Sequence, residues 1–118
     1  MKKKILIVDD EPNIVMPLEY AFRKRNFDVF VARNGIEALE IAKKEIPNII
    51  LLDIMMPKLD GYETLKRLRQ QKILEQTKVV LISVKSQRKD EDQKGADGYI
   101  TKPFSIKKVV NDLDSIMV

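Results

Sequence analysis

Cysteine and histidine are both absent from this chain. That removes a disulfide framework, a Cys/His zinc site, a thiol nucleophile, a Ser/His/Asp triad and a histidine general base. Any catalysis must rest on carboxylates, lysine, tyrosine and hydroxyls. Glycine is scarce, with four residues, and no glycine-rich phosphate loop of the GxxxxGK[ST] kind is present, so a nucleotide held by such a loop is not expected. No apolar run approaches the roughly 18 residues that a membrane span needs. The N-terminal "MKKKILIVDDEP" has too short an apolar run before its aspartates for a signal-peptide core, so the protein is expected to be cytoplasmic. The net charge is +4, but the lysines are scattered among acids and form no basic stripe interleaved with aromatics. Direct nucleic-acid binding is therefore not expected.

What remains is a composition of 44% apolar and 34% charged residues in 118, enough for one domain with one core, of radius of gyration roughly 13 Å. One domain over residues 1–118, without repeat, linker or output domain in this chain, is the expectation. Four runs rich in Ile, Leu and Val stand out: "KILIV" (Lys4 to Val8), "DVFVA" (Asp28 to Ala32), "NIILLD" (Asn48 to Asp53) and "KVVLIS" (Lys78 to Ser83). Their apolar character is continuous, which suits strands covered on both faces. A fifth, weaker run is "GYIT" (Gly98 to Thr101).

Helical spacing fills the intervals. Pro12 to Arg25 carries Ile14, Leu18, Ala21 and Phe22 on one face, and Gly35 to Glu45 carries Ile36, Leu39, Ile41 and Ala42. Gly61 to Gln71 carries Leu65 and Leu68, and the segment from Ile106 onward carries Val109, Val110, Leu113 and Ile116. Ser105 suits an N-cap. Pro17 removes a bond to the carbonyl of Asn13, which predicts a late start or a kink in the first helix. Alternation of strand and helix specifies an α/β domain with a doubly wound parallel sheet.

In such a sheet ligands bind beyond the carboxyl ends of the strands. Those ends hold Asp9, Asp10 and Glu11 after the first strand, Asp53 at the third, Ser83 at the fourth and Lys102 after the fifth. Two adjacent central strands thus bring three aspartates to one edge. A like-charge pair at about 4 Å costs on the order of 4 kcal/mol at an effective dielectric near 20, as an upper guide. Lys102 offsets only part of this, and an oxygen-only donor set suits a hard cation such as Mg²⁺, with Mn²⁺ able to substitute. A carboxylate, a divalent cation, a hydroxyl and an ammonium around one pocket form a site for a phosphoryl group.

The segments "ILIVDDEP", "NIILLDIMMPKLDGYE", "VVLIS" and "GADGYITKPF" occur in the order found in the receiver domains of two-component response regulators, and the chain resembles that family over nearly its whole length. The resemblance implies a (βα)5 flavodoxin-like fold with strand order 2-1-3-4-5. It also implies Asp53 as phosphoacceptor, Asp10 as a direct magnesium ligand, Asp9 acting mainly through water and the main-chain carbonyl of Met55 as a third ligand. Ser83 and Lys102 would bond phosphoryl oxygens, Lys102-Pro103 would be a cis peptide, and Tyr99 would be the switch aromatic that follows Ser83. The plainer reading of Tyr99 is a half-buried strand aromatic. Phe104 and Met56 fit packing roles, while Pro57, Asp60 and Gly61 shape the turn after the acceptor.

The function implied is a phosphorylation-activated switch of a phosphorelay, not a metabolic enzyme, whose partners are a histidine kinase or phosphotransfer protein and an unspecified downstream protein. It would be a monomer or a phosphorylation-dependent dimer, either a stand-alone regulator or an excised domain. Two rivals remain. A haloacid-dehalogenase-like phosphatase needs a second Asp two residues after the first, where Met55 stands. A degenerate receiver would serve as an interaction module that does not depend on phosphate.

Three departures from the family pattern stand out. Val84 takes the place of the usual Ala and crowds the phosphoryl site. Met55 and Lys85 occupy two variable positions that help set the life of the acyl phosphate, and neither orients water as a carboxylate or amide does. The phosphorylated form should therefore outlive that of a Met55→Asn or Lys85→Glu variant in a dephosphorylation time course. Thirdly, "KSQRKDEDQKG" (Lys85 to Gly95) has no apolar stripe and leaves the crossover about one helical turn short. It is expected to be a shortened or poorly ordered helix over about residues 85–95, with Ser86 as cap and Asp90 and Lys94 as an i, i+4 pair.

Overall fold

The computed structural model describes residues 2–55, 60–83 and 95–117. The expectations for Met56, Pro57, Val84, Lys85, Ser86, Asp90 and Lys94, and for a helix over about residues 85–95, lie outside the described residues. Five parallel strands, β1 (Lys4–Val8), β2 (Asp28–Ala32), β3 (Ile49–Asp53), β4 (Lys78–Ser83) and β5 (Gly98–Thr101), form one sheet in the order β2-β1-β3-β4-β5. The α-helices among the described residues are α1 (Pro12–Lys24), α2 (Gly35–Glu45), α3 (Gly61–Arg69) and α4 (Ile106–Met117), with a 3-10 turn at Lys72–Leu74. The radius of gyration is 12.8 Å. No helix among the described residues is long and apolar enough to cross a membrane.

Continuous apolar strands bury both of their faces, because successive side chains alternate across the sheet. Ile5, Ile7, Ile49, Leu51, Val80 and Ile82 join Leu18, Phe22, Val109 and Leu113 in one core beneath α1 and α4. The intervening Leu6, Val8, Ile50, Leu52, Val79 and Leu81 join Ala38, Ala42, Leu65 and Leu68 beneath α2 and α3. The Phe22 and Phe27 rings meet edge to face, with centroids 5.2 Å apart, and seal the turn out of α1.

Side chains set the helix starts. Asn34 accepts from the Glu37 N–H at 2.9 Å, Asp60 from the Glu63 N–H at 2.9 Å, and Ser105 from the Lys108 N–H at 3.0 Å. The first helix does not start late: it begins at Pro12 and contains Pro17. Pro17 and Asn13 are both exposed, so the Asn13 carbonyl that loses its helical partner faces water. The buried face of α2 centres on Ala38 and Ala42, while Ile36 is 49% exposed. Small residues let this helix lie close to the sheet, which a count of large apolar side chains does not register.

The return of the chain into β5 is held from α3. Arg69 donates through Nε to Gly95 O at 2.7 Å, through Nη1 to Thr77 O at 2.9 Å and Leu74 O at 3.2 Å, and through Nη2 to Asp97 Oδ2 at 2.8 Å. That same Asp97 oxygen accepts the Val79 N–H at 2.8 Å. Gly95, at φ +97, lies so near Arg69 that a Cβ there would sit 2.8 Å from its Cγ.

Candidate active site

Strand parity places the site. Asp9 continues the set Ile5, Ile7 along β1, Asp53 the set Ile49, Leu51 along β3, and Lys102 follows Ile100 just past β5. All three therefore fall on the α1/α4 side of the sheet edge. Ser83 ends β4 on the opposite parity and is buried at the same edge. One carboxylate oxygen from each of Asp9, Asp10 and Asp53 comes within 4.8 Å of the others.

The two buried carboxylates are held alike. Asp9 Oδ1 accepts the Glu11 N–H at 2.9 Å, and Asp53 Oδ1 accepts the Met55 N–H at 3.0 Å, each an Asx-type turn two residues long. Both turns leave Oδ2 directed at Lys102, whose ammonium donates to Asp53 Oδ2 at 3.3 Å and lies 3.9 Å from Asp9 Oδ2. Asp10 is exposed and forms no ion pair among the described residues. One ammonium thus serves a cluster of three carboxylates and reaches two of them.

The consequence appears at Asp9. Its carboxyl is 1% exposed, and Oδ2 accepts no hydrogen bond among the described residues. Burial pushes its pKa from 3.8 up to about 6, the Glu11 N–H opposes that rise, and the Asp53 charge adds to it. A carboxylate this costly to ionise beside two others lacks positive charge, and an all-oxygen donor set fits Mg²⁺. Asp9, Asp10 and Asp53 bring carboxylate oxygens close enough together to hold such an ion.

The Lys102-Pro103 peptide is cis, as the family resemblance implies. Phe104 packs partly buried against the α1/α4 core, and with Ile14 and Pro103 it also lines an apolar cleft of about 380 Å³ along the stem of Lys102. Tyr99 is half-buried against the other core, its hydroxyl buried without a hydrogen-bond partner among the described residues. Gly61 is the first residue of α3 and donates its N–H to Ile54 O at 3.2 Å. A Cβ on Gly61 would fall inside the Ile54 Cα and only 2.7 Å from Asp53 O. Sequence reading overlooked Glu11 as the group that orients Asp9, although the i, i+2 spacing signals it. Helical spacing puts Ile14 on the apolar face of α1, but only the packing of that helix brings it to Phe104.

The response regulator receiver domain model matches residues 5–114. The chain is 46% identical over 92% of its length to the alkaline phosphatase synthesis transcriptional regulatory protein PhoP of Bacillus subtilis, and 41% identical over 98% to the probable transcriptional regulator ycf27 of Porphyridium aerugineum. It spans about half the length of these relatives, 46% and 48%. Among solved structures, it is similar to the chemotaxis response regulator CheY4 of Vibrio cholerae, with TM-score 0.91 and 28% identity over 98% of this chain and 99% of that one. It is also similar to the receiver domain of sensor histidine kinase PA1611 of Pseudomonas aeruginosa, described with a magnesium ion coordinated in its active site cleft. There the TM-score is 0.88 at 25% identity, over 99% of this chain and 98% of that one.

Proposed function

We propose that this chain, which belongs to the family of response regulator receiver domains, is a phosphorylation-activated switch that takes a phosphoryl group onto Asp53 from a histidine kinase or phosphotransfer protein. The observation that carries the reading is the position of Asp53: 2% exposed, with Oδ1 fixed by the Met55 N–H and Oδ2 on the Lys102 ammonium, inside a cluster of three carboxylates. An Asp53 oxygen forms the new bond to phosphorus as the phosphorus–nitrogen bond of a phosphohistidine breaks, and the departing imidazole nitrogen takes a proton from water.

Lys102 then shifts its ammonium from Asp53 to a phosphoryl oxygen, keeping a positive charge where negative charge accumulates. Ser83, buried at the neighbouring strand end, supplies a hydroxyl to another phosphoryl oxygen. Asp10, Asp53 and the Met55 main-chain carbonyl would hold Mg²⁺, with Asp9 acting mainly through water. When bound, the cation supplies charge neutralisation and orients the phosphoryl oxygens. Withdrawal of Ser83 toward the phosphoryl group opens room beside β5 for Tyr99, whose hydroxyl has no hydrogen-bond partner among the described residues.

The chain catalyses only its own phosphorylation and dephosphorylation. It forms one receiver domain over residues 1–118, placed in the cytoplasm on the same side of the membrane as the ATP that a histidine kinase consumes. Transcriptional output belongs to the full length of the relatives, of which this chain matches about half. Incubation with acetyl phosphate and Mg²⁺ followed by intact-mass spectrometry tests the reading. One phosphoryl group is expected on the wild type and none on Asp53→Asn. A wild type that gains none would instead make the chain a phosphate-independent interaction module.

A further inference from the structure

At the amino ends of the strands, opposite the carboxylate cluster, lies a second cleft of about 280 Å³, lined by Lys3, Ile46, Asn48, Ile73, Lys78 and Met117 among others. Its rim combines two features. Ile46 and Ile73 are 45% and 56% exposed, unusual for isoleucine. Lys3 and Lys78 are exposed as well, and neither meets a carboxylate among the described residues. Of the acids near this edge, Asp28 is engaged by Lys2 at 3.6 Å and Glu45 by Lys4 at 3.3 Å, while Glu75, between Ile73 and Gln76, is exposed and pairs with neither Lys3 nor Lys78.

Ile46 adds an independent observation. It ends α2 in the left-handed region, at φ 46 and ψ 65, where a β-branched side chain is a steric outlier. It also precedes Pro47, which restricts its backbone further. The turn after α1 meets the same requirement with Asn26, at φ 70, a residue that tolerates it. Ile46 belongs to neither core, and at 45% exposure it lines the cleft. Strain retained at an exposed position points to a contact outside the domain.

We propose that this cleft docks an acidic, apolar peptide segment of a protein partner. A leucine-sized side chain enters between Ile46 and Ile73, and flanking carboxylates pair with Lys3 and Lys78. The Asn48 carboxamide oxygen is already taken by the Lys4 N–H at 2.8 Å, which leaves its NH₂ to donate to the peptide backbone. The commitment to an acidic partner follows from charge: the apolar rim is bracketed by two ammoniums without internal counter-ions. The inference is independent of phosphorylation at Asp53.

The test is an amide NMR titration of the unphosphorylated protein with a synthetic heptapeptide alternating leucine and glutamate, and with its leucine–lysine counterpart. Saturable shifts at Lys3, Ile46, Asn48, Ile73 and Lys78 are expected with the acidic peptide, with Kd below about 1 mM, and none with the basic one. Ile46→Asn should weaken binding at least fivefold while raising the melting temperature by a few degrees, so that lost binding cannot be ascribed to unfolding. Lys3→Glu combined with Lys78→Glu should abolish it. The proposal is overturned by equal binding of both peptides or by undiminished binding to Ile46→Asn. It is equally overturned if decanoate binds at the same residues as tightly as the peptide, or if these residues shift with protein concentration alone, which would make the cleft a contact between copies.

Discussion

Replacing Gly61 with alanine is expected to lower the melting temperature by about 10 °C or more and to slow phosphoryl uptake at Asp53 at least tenfold. The added methyl would overlap Ile54 Cα and come within 2.7 Å of Asp53 O and 2.9 Å of Ile54 Cγ2. Two of those atoms are backbone, so no rotamer change relieves the clash, and the end of β3 must move away from α3. Overpacking against a fixed interior costs about 1–3 kcal/mol and more where backbone must shift, and roughly 4 °C follows each kcal/mol in a domain of this size. The displaced segment carries the acceptor itself, and misplacement by about 1 Å at a reacting group can cost a hundredfold in rate. Gly98→Ala is the control. A Cβ there meets Ile116 Cδ1 at 2.6 Å, the free end of a flexible side chain, so less than about 1 kcal/mol should be lost. Thermal melts and acetyl-phosphate time courses on the two variants decide it; comparable losses from both would refute the role assigned to Gly61.

Without magnesium at pH 7.5, Asp9→Asn is expected to melt about 8–12 °C above the wild type and to have lost most of the stabilisation that magnesium gives the parent. The folded protein holds the Asp9 proton up to about pH 6, whereas the freed side chain releases it near 3.8. Below about pH 4 both states are protonated and Asp9 costs nothing. Between about 4 and 6 the unfolded chain ionises first, so this group draws stability away from the fold as pH rises, and above about 6 the cost is complete. A difference of about 2 pH units corresponds to about 3 kcal/mol. Asparagine removes the charge and can still accept the Glu11 N–H through its oxygen.

Magnesium would remove the same cost by a different route, since its charge would offset the ionised carboxylates of the folded arrangement, which the unfolded chain does not assemble. At ten times its Kd it should add about 1.4 kcal/mol to the wild type. Melting curves from pH 4 to 8, with and without millimolar Mg²⁺, should show the wild-type and Asp9→Asn curves diverging as pH rises without the metal and drawing together with it. Equal magnesium shifts in both proteins would exclude Asp9 from the metal site.

The strands were readable because a parallel sheet covered on both sides requires unbroken apolar runs, and β1, β2, β4 and β5 start and stop at the expected residues. The gathering of Asp9, Asp10, Asp53, Ser83 and Lys102 at one edge was readable because an α/β sheet brings its strand ends together there. What composition could not convey was the difference in surroundings between adjacent acids. Asp9 is buried and hard to ionise while Asp10 faces water, and only the pleat and the packing of neighbouring strands decide which is which. On α2, Leu39, Ile41 and Ala42 face the core as read while Ile36 does not, and Ala38 was missed because it carries little hydrophobic weight, although with Ala42 it sets how closely that helix approaches the sheet. The left-handed turn at Ile46 gave no signal at all, since isoleucine is among the residues least expected there.

Arg69 separates two kinds of sequence freedom. By binding three carbonyls and Asp97 at once, it fixes the place where the chain re-enters the sheet, whatever is written between Ser83 and Gly95. Lys102, seven residues beyond Gly95, inherits that fixed origin. Outside Val84 and Lys85, to which the sequence assigns a part at the phosphoryl site, changes of length or charge in the intervening segment are therefore expected to leave the distance from Lys102 to Asp53 unaltered.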